Sequence, residues 1–577
     1  MRRVLLSLAL VLCATALFAQ VENAQVNGSF QVDGQYYQVD EAIGITQEDI
    51  KGNKFGINGF GKINYSLGNF TAGIRYEAYL PPMSGFDTRL QGVGLANYYA
   101  SYDNGTIGIT IGDIYDQFGN GFIFRTYEEW SLGFDNSLRG MRVIYRPAAG
   151  VTLKAVYGKQ RFYWASYAST ENRGLVRGID GEWDLNQSFE AMNNSKFRAS
   201  VGGSFVSKYQ KNTNSTYNIP ENVGAFDGRV NLGYGRFAFT TEYAYKINDP
   251  SAFNNYTYHA GQAILSSLSY SQKGFGAILQ VKRVDNMSFK SDYKGVKNDL
   301  DINFIPPINY THTHSLPAIY TYATQPLGEM AMQFQVNYTI PKKTILGGKY
   351  GTKITLDFSQ VNDIQRDYLE EGQGDPTHIS GYDGTLGYTS PFFAVGDRKF
   401  FHDFNIEIER RLSKKWKLIA QYINLYYDMD VIENHPGAPV VKANIGFVDL
   451  SYRITSKQSI RFELQHLWDD INKSNTAESE TVGHEGVYKK RGNWAAALVE
   501  YSVGAKWFVS LGDKYNYGNP IAGNRDHYYT ASVGYIHEST RIVLTGGRQS
   551  EGMVCVGGVC RVVPASSGVS LSITTSF

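Results

Sequence analysis

A chain of 577 residues with a formal net charge of +1 lacks the strongly basic balance of a nucleic-acid binder. Past its N-terminal leader it offers no apolar run of about 18 residues, so a helical membrane protein is excluded. Its 42% hydrophobic share is thin for a soluble enzyme, yet it carries 42 Tyr, 32 Phe, 7 Trp and 60 Gly; rings in excess over aliphatics suit a membrane barrel, which places aromatics in two interfacial girdles and keeps its interior polar.

Arg2 and Arg3 precede an apolar run from Val4 to Phe18, followed by Ala19 and Gln20. That is the form of a cleavable secretory signal peptide, which sets residues 1–19 apart from residues 20–577. Leu17 is larger than the residue preferred two positions before the cut, which blurs the cleavage point. Cys13 would mark a lipoprotein only after small residues, and Val11 and Leu12 stand there.

Beyond the leader the recurring unit is about ten residues of period-2 alternation, closed by Gly, Asn, Asp, Ser or Pro. Val151, Leu153, Ala155 and Tyr157 alternate with Lys154, and Phe237, Phe239, Tyr243 and Tyr245 with Glu242 and Lys246. Phe404, Ile406 and Ile408 alternate with Glu407 and Glu409, and Ile460, Phe462 and Leu464 with Arg461 and Glu463. A strand sends these sets to opposite faces. Lipid is expected on the apolar face, which makes Lys154, Glu242, Lys246, Glu407, Glu409, Arg461 and Glu463 candidates to line a wide hydrated lumen. No fixed-period repeat supports a propeller or solenoid.

The connections sort by length. Short turns fall at Asp103-Asn104-Gly105, Pro147 to Gly150, Gln272-Lys273-Gly274, Ser413-Lys414-Lys415, Thr455-Ser456-Lys457 and His537 to Thr540. Long polar connections cover residues 116–137, 288–328, 362–398, 471–492 and 551–567. Short periplasmic turns opposite long extracellular loops are the mark of an outer-membrane barrel. The fold expected is therefore all-β: a single large antiparallel transmembrane β-barrel of about 24 strands, within a range of roughly 20–26. Residues 175–210 are expected to hold a long polar turn, and residues 288–328 leave room for an extra hairpin.

Four segments invite a chemical reading. Residues 116–135 mix Gln117, Phe118, Asn120, Arg125, Glu128 and Trp130 without alternation, as a rim loop or a segment folded into the lumen would. Asp363, Asp367, Glu370, Glu371 and Asp375 lack the ligand spacing of a calcium loop and read as a solvated face. His484, Glu485, Lys489, Lys490 and Arg491 read as solvated surface charge. Cys555 and Cys560 flank Gly557-Gly558, a pair suited to a tight two-residue turn that would bring the thiols face to face, so an exported chain is expected to form a Cys555–Cys560 disulfide. No nucleophile turn or metalloprotease helix appears, and neither catalytic residues, cofactor nor metal are expected.

At the C-terminus Val569, Leu571, Ile573 and Phe577 share one face against Ser570, Ser572 and Ser576. A terminal strand ending on an aromatic residue resembles the signal read by the barrel-assembly machinery. Its free edge is expected to close the barrel against a first strand within residues 24–36.

Phe18-Ala19-Gln20, Gly119-Asn120-Gly121 before Arg125, Gly158-Lys159-Gln160-Arg161, Gly347 to Lys353, and Cys555 to Cys560 followed by Pro564-Ala565 together resemble a family of outer-membrane barrels of unknown function from Bacteroidota. The resemblance implies the fold and the compartment, and it brings no catalytic residues. Strands that begin soon after the leader leave no room for a folded N-terminal plug or periplasmic domains. Two functions fit: a porin-like passive channel for small polar solutes, and a non-conducting barrel subunit or scaffold of an outer-membrane secretion, assembly or uptake complex. The partners expected are outer-membrane lipid and lipopolysaccharide, the assembly machinery during biogenesis and other outer-membrane proteins.

Overall fold

The structure, a computed structural model, describes residues 24–165, 173–369, 386–471, 488–556 and 559–577. The expected leader, residues 1–19, and the expected turn at Gly557-Gly558 lie outside these residues.

One 24-stranded sheet runs through the chain. Its strands are Gln25–Tyr37, Phe55–Leu67, Phe70–Tyr79, Gly92–Asp103, Ile107–Ile114, Leu138–Tyr145, Val151–Gln160, Leu175–Asp184, Phe197–Tyr209, Asn222–Tyr234, Phe237–Lys246 and Gly261–Gln272. The second half adds Phe275–Asp285, Gly328–Ile340, Thr352–Ile364, Val395–Arg411, Trp416–Tyr427, Val441–Arg453, Gln458–Asp469, Trp494–Val503, Trp507–Tyr515, His527–His537, Thr540–Gln549 and Ser566–Ser576. Each strand pairs antiparallel with the next, and the last returns to the first in register from Ser29↔Ser576 to Tyr37↔Gly568. The sheet is thus a closed barrel with no free edge.

The alternation read from the sequence appears with its faces as lipid requires. Phe462 and Leu464 are exposed on the outer face while Glu463 and Gln465 are buried within, the reverse of a water-soluble protein. Tyr157 and Leu153 likewise face outward and Val156 inward. Short turns such as Leu67 to Phe70, Tyr234 to Phe237 and Val503 to Trp507 gather at the end that also holds both ends of the sheet. Between Asp184 and Phe197 the expected long turn contains two short helices, Leu185–Ser188 and Glu190–Asn193, the first capped by the Asp184 carboxylate.

Residues 286–327 add no hairpin to the barrel. This connection and the one between Ile114 and Leu138 leave the sheet at its outer end and turn inward, as their contacts with the inner wall establish.

Candidate functional site: a lumen filled by two segments

The connection after Ile114 enters the barrel because it carries a compact apolar knot. Phe118, Phe122, Ile123 and Phe124 are fully buried and share one hydrophobic cluster with the wall residues Val156, Val176, Val206 and Val223. The wall makes room for it with glycine: a Cβ on Gly178 would stand 2.9 Å from the Phe118 ring. Gly119, at φ 51°, lets the turn pass Glu242, whose carboxylate accepts from Asn120 N at 2.7 Å and from Asn120 Nδ2 at 2.9 Å. Removing four such side chains from this cluster would cost about 1.5–3 kcal/mol each, so the segment is firmly docked. Of the two readings of residues 116–135, the structure has the inward one.

Polar anchors hold the rest of that connection. Asp135 accepts from Arg161 Nη1 at 2.6 Å and also pairs with Arg75; Glu77 takes the other arm of Arg161 at 2.7 Å and Arg75 Nε at 2.8 Å. Burial works against ionisation of Asp135, but the guanidinium groups of Arg161 and Arg75 outweigh it and hold the carboxyl down at about 2.

Residues 286–327 form the second filling. Inner-wall lysines reach its main-chain carbonyls: Lys246 to Ser288 O at 2.6 Å, Lys208 to Lys290 O at 2.7 Å and Lys282 to Pro306 O at 2.6 Å. The two segments also join each other, Arg125 N to Ile302 O and Phe304 N to Gly121 O, each at 2.8 Å, with the Arg125 guanidinium between the rings of Tyr127 and Phe304. Farther on, the chain crosses to the opposite wall. There Tyr310 meets Glu407 at 3.5 Å, His312 meets Asp403 at 2.5 Å, and His314 stacks on Phe447 and lies 3.8 Å from Glu463. Ile308 and Leu316, both buried, bracket this polar stretch.

The seven residues assigned to a hydrated lumen all project from the inner face. Lys154 pairs with Asp116 at 2.8 Å, while Glu242, Lys246, Glu407 and Glu463 contact the infolded segments. Arg461 bridges Asp449, at 2.6 Å, and Glu463. Glu409 pairs with Lys417 at 2.8 Å nearer the short-turn end and stays part-exposed. The expected wide water-filled passage is therefore corrected: through its outer half the lumen is packed, because inward charge met buried partners from the chain's own loops.

His314, Asp449 and Glu463 bring ligand atoms within 4.8 Å of one another. Arg461 already neutralises both carboxylates, so the trio reads as an ion-paired contact rather than a metal centre. In the acidic loop Asp363 pairs with Arg366 at 2.6 Å, while Glu370, Glu371 and Asp375 lie outside the described residues, as do His484 and Glu485. Lys490 and Arg491 are not solvated charge as expected: they are buried on Glu433 at 2.6 Å and Asp469 at 2.7 Å. Cys555 and Cys560 form a disulfide across the hairpin Gly552–Val556 and Val559–Val563, with Cα atoms 4.1 Å apart. The missed signal for the infolding was apolar residues in polar loops: Phe118, Phe122 and Ile123 in one, Met287, Phe289, Ile302 and Ile305 in the other.

No curated protein matches the chain in sequence. Among solved structures it is similar to the siderophore receptor PirA from Acinetobacter baumannii, at 9% identity and a TM-score of 0.43 over 97% of this chain and 81% of that one. It is also similar to OccK3 of Pseudomonas aeruginosa, at 9% identity and a TM-score of 0.33 over 78% of this chain and 96% of that one. Likeness this slight adds nothing to the barrel established by the strand pairing itself. The sequence model of a family of unknown function, DUF6029, matches residues 1–577, and the chain belongs to that family.

Proposed function

We propose that this chain is a non-conducting outer-membrane barrel, a scaffold or subunit whose lumen is closed by its own loops. The observation that carries this reading is the row of wall lysines, Lys208, Lys246 and Lys282, bound to the main chain of residues 288–306. Charged side chains that serve a permeating solute are expected to face water; these face carbonyls in a buried interface. In this reading the leader 1–19 exports the chain, the strand bearing Val569, Leu571, Ile573 and Phe577 directs its assembly, and the surface loops engage neighbouring outer-membrane proteins and lipopolysaccharide.

One feature favours a second reading, a gated passage. Residues 309–315 are polar throughout and rest on Asp403, Glu407 and Glu463. Such contacts to carboxylates, worth about 1.5–3 kcal/mol each, can be exchanged for contacts to water, whereas release of the Phe118 knot would expose apolar surface that water does not compensate. Planar-bilayer recording separates the two. The unaltered barrel is expected to give no steady conductance. If replacing residues 309–315 by Gly and Ser of equal length opens steps, the passage is gated; steady ohmic steps from the unaltered chain would overturn the closed-barrel proposal.

A further inference from the structure

On the outer face at the short-turn end, aromatic rings follow one another from Phe237 to Tyr270 at 4.8 Å, to Phe275 at 5.9 Å and to Tyr338 at 6.3 Å. The series resumes with Trp416 on Tyr452 at 4.3 Å and Trp507 on Tyr535 at 4.4 Å. This is the periplasmic girdle. Between Tyr338 and Trp416 it is interrupted, and the outward positions there are Ile340, Thr352 and Arg410, paired in register.

The turn 341–351 fills the gap. Thr352 shares its face with Ile354, which pairs with the lipid-facing Tyr338 and Ile408. Yet Thr352 is only 4% exposed, and its hydroxyl donates to Leu346 O at 2.8 Å. Arg410 lies against the same turn, its Nη2 2.7 Å from the place of a Cβ on Gly348. The turn is therefore folded back over the outer face instead of hanging into the periplasm. Lys343 N to Gly348 O at 2.6 Å and Gly348 N to Thr344 O at 2.8 Å fix its shape. At its tip Ile345 is 96% and Leu346 68% exposed. Lys342, Lys343, Lys349 and Arg410 surround the tip, and none of them is ion-paired among the described residues.

We infer that this turn is a binding site for anionic phospholipid of the periplasmic leaflet. Ile345 and Leu346 enter the boundary between headgroups and acyl chains, and the four cations hold phosphate oxygens. Apolar side chains at the membrane surface, ringed by unpaired cations, are what an anionic interface retains. The inference rests on the barrel and its orientation and is independent of whether the lumen conducts.

The test uses the full barrel in nanodiscs of phosphatidylcholine with or without phosphatidylglycerol, carrying a spin label at Ile345→Cys. With phosphatidylglycerol the label is expected to be open to oxygen and shielded from a nickel chelate. Purified barrel is expected to retain phosphatidylglycerol in native mass spectra, and Lys342→Gln, Lys343→Gln and Lys349→Gln together to weaken that retention at least about tenfold, since each cation near an anionic surface adds to the attraction. Lys457→Gln with Lys506→Gln, elsewhere on the rim, serves as the control. A label open to the nickel chelate in both lipids would overturn the inference. So would retention by the unaltered barrel that does not favour phosphatidylglycerol, or shielding that appears only when outer-membrane proteins are added.

Discussion

Gly28 and Phe577 exchange two main-chain hydrogen bonds, Gly28 N to Phe577 O at 2.9 Å and Phe577 N to Gly28 O at 3.0 Å, and the Phe577 ring lies over the Gly28 α-carbon. A Cβ on Gly28 would stand 2.6 Å from Phe577 Cζ and 2.7 Å from Lys62 O. The seam between the first and last strands thus depends on the absence of a side chain at one position. Gly28→Val is expected to cost about 1–3 kcal/mol through this overlap. It should lower the fraction of protein that migrates as a compact, heat-modifiable barrel on unboiled gels, while Gly34→Val, on the same strand with open space around it, leaves that fraction unchanged.

The same seam shows what was legible in the sequence. Turn lengths and alternation give the strand number and the two faces, because both follow from local geometry, and the terminal alternation from Val569 locates the closing edge. The filled lumen was not legible in the same way. Lys246 occupies an inward position that alternation assigns correctly, but whether an inward lysine meets water or a carbonyl is decided by a residue far along the chain, here Ser288. Lys490 and Arg491 were misread for the same reason, their partners Glu433 and Asp469 being remote in sequence.

Lys282 tests the filling directly. It is fully buried between Pro306 O and Glu329, and Glu329 in turn accepts from Gln325 N at 2.7 Å and from the Tyr322 hydroxyl. Lys282→Met leaves Glu329 buried without its cation, a loss of about 3–5 kcal/mol. Trypsin is expected to cut the folded variant at Lys290, which is buried in the unaltered barrel. Adding Glu329→Gln removes the stranded charge and should restore most of the resistance. If both variants resist trypsin as the unaltered chain does, the wall lysines do not hold the segment.

The disulfide closes only a short hairpin, and its effect should be correspondingly local. A loop of this size is worth about 2 kcal/mol by loop-closure entropy. Beyond the bond itself, the hairpin is held by Asn298 Nδ2 donating to Cys560 O at 3.0 Å and by Arg561 over the Phe86 ring at 3.9 Å. Replacing both cysteines by Ser is expected to speed amide exchange within residues 552–563 roughly tenfold or more, in keeping with about 2 kcal/mol, while exchange in the barrel strands stays as it was. Global loss of protection would show instead that the hairpin supports the wall.

Asp135 supplies a pH dependence whose sign is fixed by its surroundings. Burial alone would raise its pKa above that of an unfolded carboxyl, near 3.9, but Arg161 and Arg75 bring it down to about 2. A depressed folded value means that the stabilisation is fully present above the unfolded value and is lost as pH falls through the folded one; it is on the order of 2–3 kcal/mol. Residues 115–137 should therefore remain docked at pH 5, weaken below about pH 4 and release toward pH 2. Asp135→Asn keeps the shape of the side chain but leaves Arg161 with Glu77 alone and Arg75 with Glu77 and Glu128. It should start from a less firmly docked segment at pH 7 and lose most of the further acid-dependent change. Amide exchange across residues 118–135 follows both effects. A variant that releases the segment over the same acid range and to the same extent as the unaltered chain would place the responsible carboxylate elsewhere.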